Sequence, residues 1–289
     1  MSIKHQLQRS LYSILKHNKD GSFETQSARQ KTLSKAATDL SAKNYKLRHI
    51  NGLKQKHIVF LNQLWQSQNL STATIKNRNA HLRWLCEKIN KSNMVPTNDQ
   101  LGLGKRKYAS TQSKAIDLKE VDLSKITNDY VKIQIHLQRY LGLRREECIK
   151  LKPHLADKGQ YLVLQPSWCK GGKGRIIPIL SAEARYWLDE AKKIVRSDQS
   201  LIPKNKKYIQ HRNLYDKQIQ RAGIKHAHGL RHAYAQERYF QLTGWKCPKQ
   251  CGPESKSLKG NLKKTDRLAR LTISQELGHE RIAITGIYL

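Results

Sequence analysis

Between Lys91 and Ala115 the chain loses its hydrophobic periodicity. The stretch carries Pro96, Gly102, Gly104, the run Lys105-Arg106-Lys107 and several Ser and Thr, the composition of a linker. Such a break, about a third of the way along 289 residues, divides the folding problem in two, and each side is long enough to bury its own core. The expected division is a first domain over residues 1–104, its first ~45 residues an arm or extra helices, a linker over 105–116 and a second domain over 117–289.

Ahead of the break, apolar residues recur at helical spacing. Helical patches cover 5–15 and 28–40, and Leu53, Ile58, Phe60, Leu61, Leu64 and Trp65 form one broad face over 52–65. Ser71 is an N-cap for a further helix striped by Ile75, Leu82, Leu85 and Ile89, with Lys76, Arg78 and Arg83 off that stripe. Past the break a helix is expected over 126–141, stopped at Gly142, and another from Leu143 to near Pro153. A β-type run at 161–165, a glycine turn at 171–174 and a second run at 175–180 read as a hairpin with Lys170 at its edge. Helices follow from Ser181 (Ala184, Trp187, Leu188, Ala191 and Val195 inward), over 211–222 and from Leu230 to about Gln241. The expected fold class is mainly α with one small antiparallel sheet.

Charge narrows the partners. Lys and Arg number 55 against 22 Asp and Glu, a net charge of +33. Residues 1–110 hold 20 basic and 5 acidic side chains and the remainder 35 and 17, so the excess is not confined to one tail. Self-repulsion on that scale points to a polyanion as partner, with nucleic acid the default and a grip from two sides the simplest arrangement. Phosphate contacts are expected from Lys76, Arg78 and Arg83, from Lys105, Arg106 and Lys107, and from Arg175. No apolar run approaches membrane-spanning length, the N-terminus lacks the apolar centre of a signal peptide, and five scattered cysteines form no disulfide framework. A soluble, cytoplasmic, nucleoid-associated protein with no membrane partner is expected.

Four features stand in fixed order in the second half: Gly142-Leu-Arg144-Arg-Glu-Glu147, the hairpin Lys170, His228-Gly-Leu-Arg231-His232, and Leu277-Gly278-His279 with Tyr288 nine positions later. His228 and Arg231 are three apart and share a helical face, where a guanidinium forks onto phosphate oxygens and an imidazole holds or passes a proton. A DNA phosphodiester resists attack because its oxygens repel nucleophiles, and two guanidiniums offset that repulsion in the five-coordinate transition state.

In these features, from about Asp117 onward, the chain resembles the tyrosine recombinase (phage integrase) family, as an integrase of a mobile genetic element. The helical first half resembles the family's SAM-like core-binding domain. The resemblance implies Arg144 and Arg231 as the two phosphate-bracing arginines and Tyr288 as the nucleophile of a 3′-phosphotyrosyl link. It implies Lys170 as the acid for the departing 5′ oxygen, with Lys173 the near competitor, His228 as the proton-handling histidine and His279 as the second one. Glu147 would buttress the first arginine, and His232 would pack or orient its neighbours. No cofactor or metal is implied, since the bond energy is kept in the tyrosyl ester and two arginines stand in for a cation. The implied partners are double-stranded DNA, a homo-tetramer on it, and accessory DNA-bending proteins.

Two departures from the family accompany the match. The chain stops at Leu289, where relatives usually continue into a segment that docks on a neighbouring subunit, so a truncated product or an unusual assembly is expected. The interval between His228 and His279 is roughly twice the family's usual length; its residues 245–270, with Cys247 and Cys251, read as a surface loop touching DNA or a partner, not as a zinc site. The activity expected is site-specific DNA recombination. The rival readings are a type IB topoisomerase-like relaxing enzyme and a non-catalytic DNA-binding remnant or regulator.

Overall fold

The computed structural model describes residues 3–106 and 112–289. The chain divides into two compact units, Met1–Tyr108 and Ala109–Leu289.

The first unit is built from α1 (Ile3–His17), α2 (Phe23–Ala42), α3 (Gln55–Ser67) and α4 (Thr72–Lys88). The hydroxyls of Ser22 and Ser71 accept from the backbone N–H groups of Thr25 and Thr74, capping α2 and α4. Leu7, Leu11, Leu33, Leu40, Ile58, Leu61, Trp65, Ile75, Leu82 and Leu85 close one core. Asn62 and Asn79 are buried in it and exchange two side-chain hydrogen bonds of 3.0 and 2.7 Å, so neither amide is stranded. The stretch after Lys91 that lacks helical period stays packed in this unit as far as Leu103. A 3-10 turn at Ser92–Met94 leads into Val95, Leu101 and Leu103, all buried in this core, because three apolar side chains suffice to pin a segment that has no helical period.

The second unit is organised on α5 (Asp129–Leu141), which starts at the Asn128 cap and stops at Gly142 in the left-handed region, φ 60°. Its faces are buried on more than one side. Ile133, Leu137 and Leu141 join one core with Leu162, Ile177 and Leu188, while Val131 and Ile135 join another with Tyr215, Ile219 and Leu230. Two buried amides on this helix are bonded: Gln134 Nε2 donates to the Leu201 carbonyl at 2.7 Å and Gln138 Nε2 to Tyr215 Oη at 2.6 Å. Next come α6 (Arg145–Lys150), α7 (Pro153–Ala156) and the antiparallel pair β1 (Tyr161–Leu164) and β2 (Arg175–Pro178), in register Tyr161 to Pro178 and Leu164 to Arg175. The connection is longer than a tight turn and winds through two 3-10 turns, Pro166–Trp168 and Lys170–Gly172. Then follow α8 (Ala182–Lys193), α9 (Tyr208–Arg221), α10 (His228–Thr243), α11 (Gly260–Glu276) and α12 (Ile282–Thr285).

The expected surface loop over 245–270 is overturned over its last eleven residues. Residues from Gly260 onward are helical, because Asp266, Ala269 and Ile273 recur at helical spacing and bury a stripe beneath the basic outer face. A third core gathers Tyr234, Ala235, Tyr239, Cys247, Ala269, Ile273, Leu277, Tyr288 and Leu289. Among the described residues no helix is long and apolar enough to cross a membrane.

Candidate active site

The buried guanidinium of Arg231, 1% exposed, is the centre of the site. Its first turn on α10 aims it at the carboxyl ends of two other helices: Nη1 donates to the carbonyl of Gly142, which caps α5, and Nη2 to that of Leu277, which caps α11. Helix C-termini leave such carbonyls unpaired and carry partial negative charge, so they hold a cation without neutralising it. Gly142 is needed for a second reason. A Cβ there would lie 2.5 Å from Cδ1 of Tyr234, so only glycine lets the chain turn this closely against α10.

Arg144 is the N-cap of α6, and Glu147 answers it. The carboxylate accepts from the Arg144 backbone N–H at 2.7 Å and from its Nη1 at 2.6 Å. Arg144 Nη2 reaches the Gly278 carbonyl at 3.4 Å, and a quarter of the side chain stays open to solvent. Glu147 is fully buried and also takes both forks of Arg175, at 2.8 and 2.7 Å. Burial alone would raise its pKa; the Arg175 hydrogen bonds and the charges of Arg175, Arg231 and Arg144 outweigh that and hold it down to about 2. Arg175, expected as a phosphate contact, is therefore turned inward. Its side chain is 5% exposed, and its Nε donates to the Glu276 carbonyl at 2.7 Å.

Tyr288 follows α12 and is brought back to the head of α10. Its hydroxyl lies 2.8 Å from His228 Nε2. Burial, then the charges of Arg231 and Arg144, lowers the His228 pKa, so the imidazole is neutral, and in its Nδ1–H tautomer Nε2 accepts from the phenol. The Tyr288 ring lies 4.5 Å from that of His232, 5.1 Å from that of His279 and 5.8 Å from Arg231 Cζ. Burial first and the Arg231 charge second push His279 down to about 3. Its Nδ1 lies 3.1 Å from Thr285 Oγ1 and its Nε2 3.4 Å from Arg231 Nη2; a neutral ring satisfies both by donating from Nδ1 and accepting at Nε2. His232 is also pushed down, to about 4, chiefly by burial.

Arg144, Glu147, His228, Arg231, His232, His279 and Tyr288 thus share one pocket. Lys170 stands exposed on the connection between β1 and β2, while Lys173 is ion-paired with Glu280, the neighbour of His279. In the first unit Arg78 lies over the Trp65 ring, its Cζ 5.0 Å from the centroid, and Arg83 donates to the Pro96 carbonyl at 3.2 Å. Arg106 donates to Asn77 Oδ1 at 2.9 Å, Lys76 is half-buried and Lys105 is exposed. Lys107 lies outside the described residues. Cys247 is buried in the third core and Cys251 is exposed; among the described residues no cluster of His, Cys, Asp and Glu is arranged to hold a metal ion. Sequence reasoning missed Thr285, Gln236 and Lys249, polar side chains with no motif around them. It also missed the two carbonyls that hold Arg231, which no residue type announces.

Two helical units, the second carrying a small hairpin and a pocket of paired arginines, histidines and a tyrosine, define a two-domain integrase. Residues 4–95 match the family described as phage integrase, N-terminal, and residues 106–237 the family described as integrase. The chain belongs to the phage integrase family, the tyrosine recombinases. Its fold is similar to that of a lambda integrase dimer bound to a COC′ core site, with 14% identity, a TM-score of 0.61, and 97% of this chain and 93% of that chain covered. It is also similar to the Tn1549 transposon integrase in complex with circular intermediate DNA (13% identity, TM-score 0.54, 100% and 95% covered). A lambda integrase tetramer bound to a Holliday junction gives 13% identity and a TM-score of 0.59 over 97% of this chain and 76% of that one. No curated protein matches the chain in sequence.

Proposed function

We propose that this chain is a site-specific DNA recombinase that cleaves and rejoins DNA one strand at a time through Tyr288. The observation that carries the proposal is the 2.8 Å approach of the Tyr288 hydroxyl to a neutral His228 in a pocket that also holds Arg144, Arg231 and His279. The phenolic oxygen attacks the phosphorus as its proton passes to His228 Nε2. Arg144 and Arg231 offset the charge on the non-bridging oxygens, and the neutral His279 positions Arg231 and the tyrosine ring. The bond to the 5′ oxygen breaks, Lys170 supplies that oxygen's proton, and the 3′ phosphate stays on Tyr288. Attack by a 5′-hydroxyl from another strand reverses the step and joins the new partner. Lys173, tied to Glu280, holds the hairpin connection against the His279 segment. Double-stranded DNA is the substrate, and the basic excess of both halves supports phosphate contact. The working assembly is a tetramer on two duplexes, by likeness to lambda integrase on a Holliday junction, with accessory DNA-bending proteins as further partners.

Incubation with nicked duplexes that carry the sequences flanking the reading frame tests this. A protein–DNA adduct stable to denaturant should form and should be absent with Tyr288→Phe. No adduct on any sequence would leave a non-catalytic DNA-binding protein; relaxation of supercoiled plasmid with no joined product would leave a relaxing enzyme.

A further inference from the structure

The local structure that places Tyr288 is slight, its backbone N–H donating to the Thr285 carbonyl at 2.9 Å. The preceding α12 is a single turn of four residues with only Thr285 buried, and Ile282 and Ile284 are exposed. The rest of what holds Tyr288 comes from elsewhere in the unit. The backbone N–H of Lys249 donates to the oxygen of Leu289 at 2.9 Å, and the ammonium of the same lysine donates to the carbonyl of Ile287. The carbonyl between them, that of Tyr288, accepts from Gln236 Nε2 at 3.0 Å, and Ser113 Oγ lies 3.0 Å from the same nitrogen. Three consecutive carbonyls are thus gripped by α10 and the turn after it.

That turn is itself firmly built. Lys249 lies in the 3-10 turn Pro248–Gln250, between a fully buried Cys247 and Cys251 at φ 63°. The Cys247 carbonyl accepts from Gln250 and Gly252, and a Cβ on Gly252 would fall 1.6 Å from the Lys246 carbonyl oxygen. Leu289 and Cys247 belong to the same apolar core, so the grip is both polar and apolar.

We propose that Lys249 is a positioning residue, and that its turn latches the Tyr288 segment into the pocket of its own chain. The catalytic part of this inference rests on the reading of Tyr288 as nucleophile; the latch itself does not. A charge-assisted donor lost from a partly buried carbonyl corresponds to about a 10- to 100-fold change in the population of the held state. In the full chain, Lys249→Ala should lower the rate of adduct formation at saturating nicked DNA by about that factor while leaving DNA affinity nearly unchanged. Lys249→Arg, which keeps a cationic donor, should restore most of the rate. Hydrogen exchange read on peptides covering residues 285–289 supplies a second measurement. The amides of Tyr288 and Leu289, both bonded to the Thr285 carbonyl, should exchange faster in Lys249→Ala and at the original rate in Lys249→Arg. Unchanged exchange in Lys249→Ala overturns the latch, and faster exchange with an undiminished adduct rate overturns the positioning role. If the unaltered protein forms no adduct on any DNA, the recombinase reading fails, and the exchange measurement still decides the latch.

Discussion

Replacing Glu147 by glutamine probes the support beneath Arg144 and the buried Arg175. The carboxylate has no exposed surface and receives four hydrogen bonds, two from Arg144 and two from Arg175, at 2.6–2.8 Å. Glutamine offers one acceptor oxygen and an NH2, which sets donors against donors and leaves buried guanidinium charge unpaired. The magnitude follows from the pKa, lowered from 4.5 to about 2, which corresponds to about 3 kcal/mol of folding stability at neutral pH. The general cost of breaking a buried ion pair, about 3–5 kcal/mol, agrees. Because the folded value is the lower one, this stabilisation is complete above pH 4.5 and is lost as pH falls through about 2. At pH 3 about half of it should remain. Urea unfolding of the full chain, read by pulsed hydrogen exchange on peptides from α5, reports on the second unit alone. Glu147→Gln should cost about 3 kcal/mol at pH 7 and about half of that at pH 3. A penalty equal at the two pH values would refute the charge-based account, whatever its size.

Three further outcomes are expected. The pKa of His228 is depressed below 6.5 by burial and then by Arg231 and Arg144, so cleavage measured at low DNA concentration should hold level down to pH 6.5 and fall only below it; an acid limb centred at or above 6.5 would count against His228 as the base. Replacing the 5′ bridging oxygen by sulfur gives a leaving group that needs no proton, so Lys170→Ala should be slow on ordinary DNA and recover on the sulfur substrate; recovery by Lys173→Ala instead would move the acid role to Lys173. In the first unit, Asn79→Ala strands the Asn62 amide and should cost about 1–3 kcal/mol in urea unfolding, and the Asn62→Ala/Asn79→Ala pair should cost less than the sum of its single changes; additive penalties would refute the pairing.

The site was legible where chemistry dictates residue type. Arg144, His228, Arg231, His279 and Tyr288 are spread over more than half of the second unit, yet each sits in a short motif whose order carries the reading. Gly142 was legible as a helix stop, but the direction of its carbonyl depends on where α10 packs. Charge misled in two places. The basic stretch before Arg270 hid the buried stripe of α11, and Arg175 read as one more phosphate contact in a chain of net charge +33. The acids discriminate better than the bases do. Only 22 side chains are Asp or Glu, and three of the four buried ones pair with an arginine: Glu147 with Arg175, Asp266 with Arg270 and Glu276 with Arg238, while Asp39 pairs with Lys35. A buried carboxylate needs a cation beside it, because desolvation would otherwise protonate it, and in the second unit that cation is a guanidinium. Each such acid therefore withdraws one arginine from the surface available to a polyanion. An assignment of phosphate contacts should begin by subtracting those arginines, which leaves Arg144, one quarter of its side chain open, as the exposed member of the site's guanidinium cluster.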